Sequence, residues 1–374
     1  MLKQAILDDV NEIRKIDKSN MLSFCVEAAK HYEKAFQMAK NVTISYPKPK
    51  AIIAAGMGGS AIGGELLKDW TRNTLKIPLE VCREYALPAY ADEKTLTFIV
   101  SYSGETEETL STFLEALKNK CMIVCISSGG TLIELAEKMN VPHLRVPTGI
   151  PPRAALPYLF VPTLVFMEKL GLASEVEKEV SEAIKVMGQV CEESTPQKPF
   201  KENFSKMLAF SISGTVPIVY GFGIYRSVAQ RFKQQFNENS KVPSKWEVFP
   251  ELNHNEVVGW ERKEKLSNRF SAIFLRDQSE PEEIRSRIEA TKELILDKIA
   301  GVYEVWSRGE GKLAKMLSTT LIGDFTSVYL ALLRGIDPTP VETINLLKRR
   351  IAETGIRNKI LNELKTLSKT NVRP

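Results

Sequence analysis

The chain has 374 residues, 43% of them hydrophobic and 26% charged, which is enough to bury a large core and suits two domains or two lobes of one architecture. Its formal charge of +5 is concentrated at one end: Lys348 to Pro374 holds eight Lys or Arg against two Glu, and the rest of the chain is close to neutral, so no basic stripe interleaved with aromatics marks a nucleic-acid partner. No run reaches the roughly 18 apolar residues of a membrane span and the N-terminal stretch lacks a signal peptide's apolar core, so a cytoplasmic protein with no membrane partner is expected.

Helical periodicity covers Ile6 to Ser19 and Leu22 to Ala39. "AIIAAG" then reads as a buried strand, "SAIGGELLKDWTRN" as a helix, "TLTFIVSY" as a strand, "TEETLSTFLEALKN" as a helix and "CMIVCIS" as a strand. Such alternation predicts an α/β fold in which each lobe is a doubly wound parallel sheet flanked by helices. The polar, proline-containing "CEESTPQKPF" makes a lobe boundary near residue 195. The expected layout is an N-terminal helical segment over 1–40, a first lobe over 41–190, a second over 200–340 and a C-terminal helical segment over 341–374. In that last segment Ile351, Ile360, Leu361, Leu364 and Leu367 outline an amphipathic helix with a solvated basic face. Five cysteines, two of them in the strand "CMIVCIS", read as packed free thiols, and three histidines in no close-spaced pattern leave a metal site poorly supplied.

The first pattern recurs. "PIVYGFGIYRSVAQRFKQQF" echoes "AIIAAGMGGSAIGGELLKDW", setting Gly221 and Gly223 against Gly56 and Gly58 at an offset of 165. "FLRDQSEPEEIRSRIEATK" echoes "IVSYSGETEETLSTFLEAL", setting Glu280 against Glu105 at an offset of 175. Ser60 corresponds to Tyr225, and Ser101 and Ser103 correspond to Arg276 and Gln278, so the hydroxyls belong to the first copy alone.

A helix N-terminus offers unpaired N–H groups and partial positive charge, and glycine lets a ligand reach the backbone. "GMGGS", with Gly59 and Ser60, and "SYSGET", with Ser101, Ser103 and Thr106, therefore make an anion cradle at two strand-to-helix junctions. At a single junction the alternative is a cap in which Ser103 or Thr106 leads and Glu107 or Glu108 completes a capping box. "GMGGSA" lacks the dinucleotide spacing, and no Walker lysine follows it.

"GMGGSAIGG", "SYSGETEETL", "PPRAALP", "FNENSK", "LNHNE" and "DPTPVETINLLKRR" together give the chain, from about residue 50 to 355, a resemblance to the archaeal-type bifunctional phosphoglucose/phosphomannose isomerases, which are built from two sugar isomerase (SIS) domains. The resemblance implies a metal-free, cofactor-free aldose–ketose isomerase that interconverts fructose 6-phosphate with glucose 6-phosphate and mannose 6-phosphate through a cis-enediol. It implies Glu238 as the base, Arg153 as the enediolate's cation, and His254 with Lys348 as the ring-opening groups. It also implies a homodimer with sites at the subunit interface, His254 reaching in from the neighbouring chain. By residue type alone, Glu238 at a helix end, His254 in a polar loop and Lys348 in a charge run are equally compatible with a solvated surface. The threonine that the resemblance places near the sugar C2 and C3 falls on Val341, with Thr339 and Thr343 close by. Two other readings stay open: a SIS-domain sugar-phosphate sensor without chemistry, and an aminosugar-phosphate isomerase or deaminase.

Overall fold

The computed structural model of the protein describes residues 2–370. The chain opens with α1 (Leu2–Asp8), α2 (Val10–Ile16), α3 (Met21–Val26) and α4 (Ala28–Lys40). It continues through β1 (Ala51–Ala55), α5 (Gly59–Thr71), β2 (Leu79–Cys82), β3 (Thr95–Val100), α6 (Glu107–Lys118), β4 (Met122–Ser127), α7 (Gly130–Lys138) and β5 (His143–Arg145). Helices α8 (Leu156–Lys169), α9 (Val176–Glu193) and α10 (Phe204–Ser211) precede β6 (Val216–Gly221), α11 (Arg226–Glu238), β7 (Lys245–Val248), β8 (Phe270–Arg276), α12 (Glu282–Ile295) and β9 (Gly301–Trp306). Helices α13 (Lys312–Leu333), α14 (Glu342–Ala352) and α15 (Ile356–Thr370) close the chain.

The two long N-terminal helices expected from periodicity are broken into four. Asp9 caps α2 by accepting the N–H groups of Asn11 and Glu12 at 2.9 and 3.2 Å, and the buried Asp17 accepts those of Met21 and Leu22 at 2.7 and 2.8 Å. A short carboxylate that offers the backbone a local partner stops one helix and starts the next.

Two parallel sheets form, in the orders β2-β1-β3-β4-β5 and β7-β6-β8-β9. The second order repeats the first without its last strand. The register repeats as well: Ile53 lies opposite Thr97, and Ile218 opposite Ala272, the same pair displaced by 165 and 175 residues as the sequence echo requires. The central strands β1, β3 and β4 are buried throughout, which is why their apolar runs stand out in the sequence. Strands β2, β7 and β9 are partly exposed, and β5 has three residues, so none of them carries such a run. One consequence is that the connection after Glu238, whose residues show no such run, contains the edge strand β7, paired in parallel with β6.

Contacts divide the chain into two units, one formed by the segment up to Lys30 with Glu177–Pro340, the other by His31–Val176 with the segment from Val341 onward. The stretch near residue 195 lies inside the first unit. The buried Lys206 donates through Nζ to the carbonyls of Pro196 and Lys198 at 2.9 and 2.7 Å and to the Asp8 carboxylate at 3.1 Å, while Tyr329 donates to the Ser194 carbonyl. A polar, proline-containing stretch that reads as a linker is thus satisfied from within. Helix α13 is long and apolar enough to cross a membrane, but its most apolar window is 94% buried inside the protein, as in a core helix. In the other unit α15 packs on α6 and α7, burying Ile360 and Leu364 in the cluster that holds Phe113, Leu132 and Leu135; each such side chain contributes roughly 1.5–3 kcal/mol. All five cysteines are free and buried.

Candidate active site

In the unit that holds β1 to β5, the chain leaves β1 through Gly58, whose φ of +51° suits glycine. The N–H groups of Ser60 and Ala61 turn back onto Met57 and Gly58 at 2.9 and 3.2 Å, which sets Gly59 at the head of α5. A Cβ on Gly59 would stand 2.9 Å from the Pro152 carbonyl oxygen and 3.3 Å from Arg153 Cα. Glycine there lets the helix N-terminus close against the turn Pro152–Ala154, and Arg153, 3% exposed, is brought to that N-terminus. The prolines before it and α8 after it fix the backbone that carries this side chain.

The second junction is tied to the first. Tyr102 N–H donates to Ser60 Oγ at 3.2 Å. Ser101 Oγ lies 2.9 Å from Thr106 Oγ1 and accepts the Gly104 N–H at 3.1 Å, and Ser103 Oγ accepts the Glu105 N–H at 3.2 Å. Thr106 occupies the N-cap position of α6, yet its hydroxyl makes no capping bond, and α5 likewise begins without a side-chain cap. Two helix N-termini without side-chain caps and four nearby hydroxyls form a donor-rich cradle suited to a phosphate, with the buried Arg153 beside it. The carboxylates of the same motif are engaged elsewhere. Glu105 accepts the N–H and hydroxyl of Thr131 and pairs with Arg357, and Glu107 accepts the Tyr85 hydroxyl at 2.8 Å. Burial and the bond to Glu107 push Tyr85 up to about 12.

The repeat keeps the same scaffold with a different filling. Gly223 has a φ of +48°. The link between junctions is rebuilt as Tyr225 Oη donating to Asp277 at 2.7 Å, the counterpart of Ser60 and Tyr102. Burial works to raise Asp277, but hydrogen bonds from Ser279, Tyr225 and Lys315 outweigh it and hold the carboxyl below its usual range. Where Ser101 stands in the first copy, Arg276 projects a guanidinium satisfied by Glu280, Glu289 and Glu304 and stacked on Trp306. A cation already bound to three carboxylates fills this junction and leaves it less suited to an anion than the first.

The remaining sequence-predicted residues are distributed as follows. Glu238, half-buried, ends α11; His254 is exposed at the end of the turn Glu251–His254; both belong to the unit of the second sheet. Lys348 is exposed on α14, whose residues are all unburied, and belongs with the cradle's unit. Val341 precedes α14. Sequence reading passed over Lys241 in "FNENSK": it has a φ of +54°, a conformation that disfavours a non-glycine residue by about 1–2 kcal/mol. Nothing in its residue type announces that. Among the described residues no group of three or more His, Cys, Asp or Glu is arranged to hold a metal.

Residues 201–351 match the family model described as the bacterial phospho-glucose isomerase C-terminal SIS domain. The chain is 40% identical over 324 residues to a bifunctional phosphoglucose/phosphomannose isomerase of Caldicellulosiruptor bescii, covering 86% of this chain and 96% of that protein. It is 36% identical to a protein of the same name from Aquifex aeolicus, covering 81% and 90%. Among solved structures it resembles a glucose-6-phosphate isomerase like protein from Thermus thermophilus at a TM-score of 0.60 and 18% identity, over 90% of this chain and 98% of that one. The fold is therefore that of two SIS-type lobes, each a parallel sheet flanked by helices, with a helical C-terminal segment.

Proposed function

The chain belongs to the family of bifunctional phosphoglucose/phosphomannose isomerases, and from that membership we propose that it interconverts fructose 6-phosphate with glucose 6-phosphate and mannose 6-phosphate. The observation that carries the reading is the length of its likeness to proteins named for that pair of activities. The cradle at Gly59, Ser60, Ser101, Ser103 and Thr106 takes the substrate phosphate. Glu238 moves the proton between C1 and C2, Arg153 stabilises the enediolate, and His254 with Lys348 opens the ring, without metal or cofactor. A cytoplasmic role in glycolysis and gluconeogenesis follows from those substrates. The sensor and aminosugar readings are not favoured, since the relatives above are named as isomerases of the unsubstituted sugars.

Incubation with fructose 6-phosphate, quantifying glucose 6-phosphate and mannose 6-phosphate separately, tests the proposal. Both products are expected, because one enediol can be protonated at C2 from either face when the pocket allows rotation about C2–C3. Val341 keeps the volume of the family's threonine but drops its hydroxyl. Mannose 6-phosphate formation below about a thousandth of glucose 6-phosphate formation would leave a glucose-specific isomerase.

The active form is a homodimer in which His254 completes the neighbouring chain's site. Supporting this, the segments that carry the ring-opening pair expose large apolar side chains: Val258 at 57% and Leu266 at 67% beyond His254, and Leu347 at 56% beside Lys348. Mixing Glu238→Gln with His254→Ala under subunit exchange is expected to restore up to roughly a quarter of wild-type activity, since half the dimers are mixed and each then has one intact site. Verified exchange with no recovery would assign His254 to its own chain's site or to none.

A further inference from the structure

We propose that Lys241 is a positioning residue for the proton-transfer step, its ammonium group fastening the helix end that bears Glu238 to the segment that leads into α14. The inference rests on the reading of Glu238 as the base. Lys241 stands just past the end of α11, with Val242 N–H returning to the Phe236 carbonyl at 3.2 Å. This is the place where a helix-ending glycine is usual, because a left-handed conformation strains any residue with a Cβ. A strained residue persists where its surroundings hold it there, and such residues gather at functional sites. Here the side chain supplies the hold: Nζ donates to the Glu238 carbonyl at 2.5 Å and to the Pro338 carbonyl at 2.9 Å.

Both of these acceptors are main-chain oxygens, so through them the lysine acts on the backbone that aims the Glu238 side chain. The Glu238 carbonyl lies in the last turn of the helix, where partial negative charge favours a cation. Pro338 lies in the short connection between α13 and α14, itself folded by the Thr339 N–H on Asp337 at 3.0 Å. On the other side of the turn, Asn239 Nδ2 and Ser240 Oγ donate to Ser327 of α13 at 2.9 and 2.6 Å. The turn is thus fixed to α13 by two bonds and to the exit segment by the lysine. A base displaced by about 1 Å loses up to ~10²-fold in rate.

The test uses Lys241→Gly, which suits the backbone and removes the ammonium, with Lys241→Met and Lys241→Arg beside it. For Lys241→Gly we expect a melting temperature equal to or above wild type. The KM for fructose 6-phosphate should stay within about threefold and kcat should fall ~10–100-fold. The deuterium isotope effect on kcat with 2-deuterated glucose 6-phosphate should rise, because proton transfer becomes more rate-limiting. Lys241→Met should repeat the loss, Lys241→Arg should recover part of it, and adding Lys241→Gly to Glu238→Gln should cost nothing further, since the tie acts through that residue. Unchanged kcat, an unchanged isotope effect, or a kcat loss that tracks lost thermal stability overturns the assignment while an inactive Glu238→Gln leaves the base in place. An active Glu238→Gln overturns both.

Discussion

Glu238→Gln is expected to lower kcat by about 10²–10⁴-fold with KM for fructose 6-phosphate changed only a few fold, as for loss of a positioned base. The amide keeps the shape of the side chain but cannot carry the proton that moves between C1 and C2. Its backbone is held independently of the carboxylate, through Lys241 on the Glu238 carbonyl and through Asn239 and Ser240 on Ser327, so the substitution leaves the helix end in place. The cradle proposed for the phosphate is built from residues of the other unit and keeps its donors. Steady-state kinetics in both directions, with a thermal melt to confirm folding, checks the outcome. Activity within threefold of wild type removes Glu238 from the proton-transfer role.

Loss of a cradle hydroxyl should raise the KM for fructose 6-phosphate and the inhibition constant of inorganic phosphate together, by roughly 10–100-fold, as one hydrogen bond to a charged group is worth about 1.5–3 kcal/mol. Ser103→Ala and Thr106→Val test this most directly. Ser101→Ala also removes the acceptor of the Gly104 N–H, so its effect should be the largest of the three. Gln278→Ala, the substitution of Ser103's counterpart, should change neither constant, because Arg276 with its three carboxylates fills that junction. Parallel losses in both copies would mean that the second junction binds phosphate as well.

Several features were legible because their causes are local. Buried central strands need uninterrupted apolar runs, helices that cover them need a 3.6-residue period, and a strand-to-helix turn needs glycine. The duplication could be read for the same reason, and its offsets reappear as sheet register at Ile53 and Thr97 and at Ile218 and Ala272. The hydroxyls of the first copy were visible as residue types, and so was their replacement by Arg276 and Gln278 in the second.

Other features depend on residues far away in the chain. Thr106 could have capped α6; only Ser101, five residues earlier and across the junction, turns its hydroxyl inward. Glu105 sits among the cradle's hydroxyls in sequence, but Thr131 and Arg357 take its carboxylate. The stretch near residue 195 has a linker's composition and is nevertheless held by Lys206 and Tyr329, and the edge strands β7 and β9 exist because β6 and β8 offer them backbone partners. Lys241 shows the division most clearly. Its place in a motif is sequence information, whereas its left-handed backbone and its two carbonyl partners follow from the meeting of α11 with the chain beyond α13. The sequence by itself therefore determined the fold class, the repeat and the chemistry on offer at each junction, all set by short-range pattern. Only the tertiary structure decided which polar groups are spent on holding the molecule together and which remain for a ligand, because hydrogen-bond partners are settled by packing between distant segments.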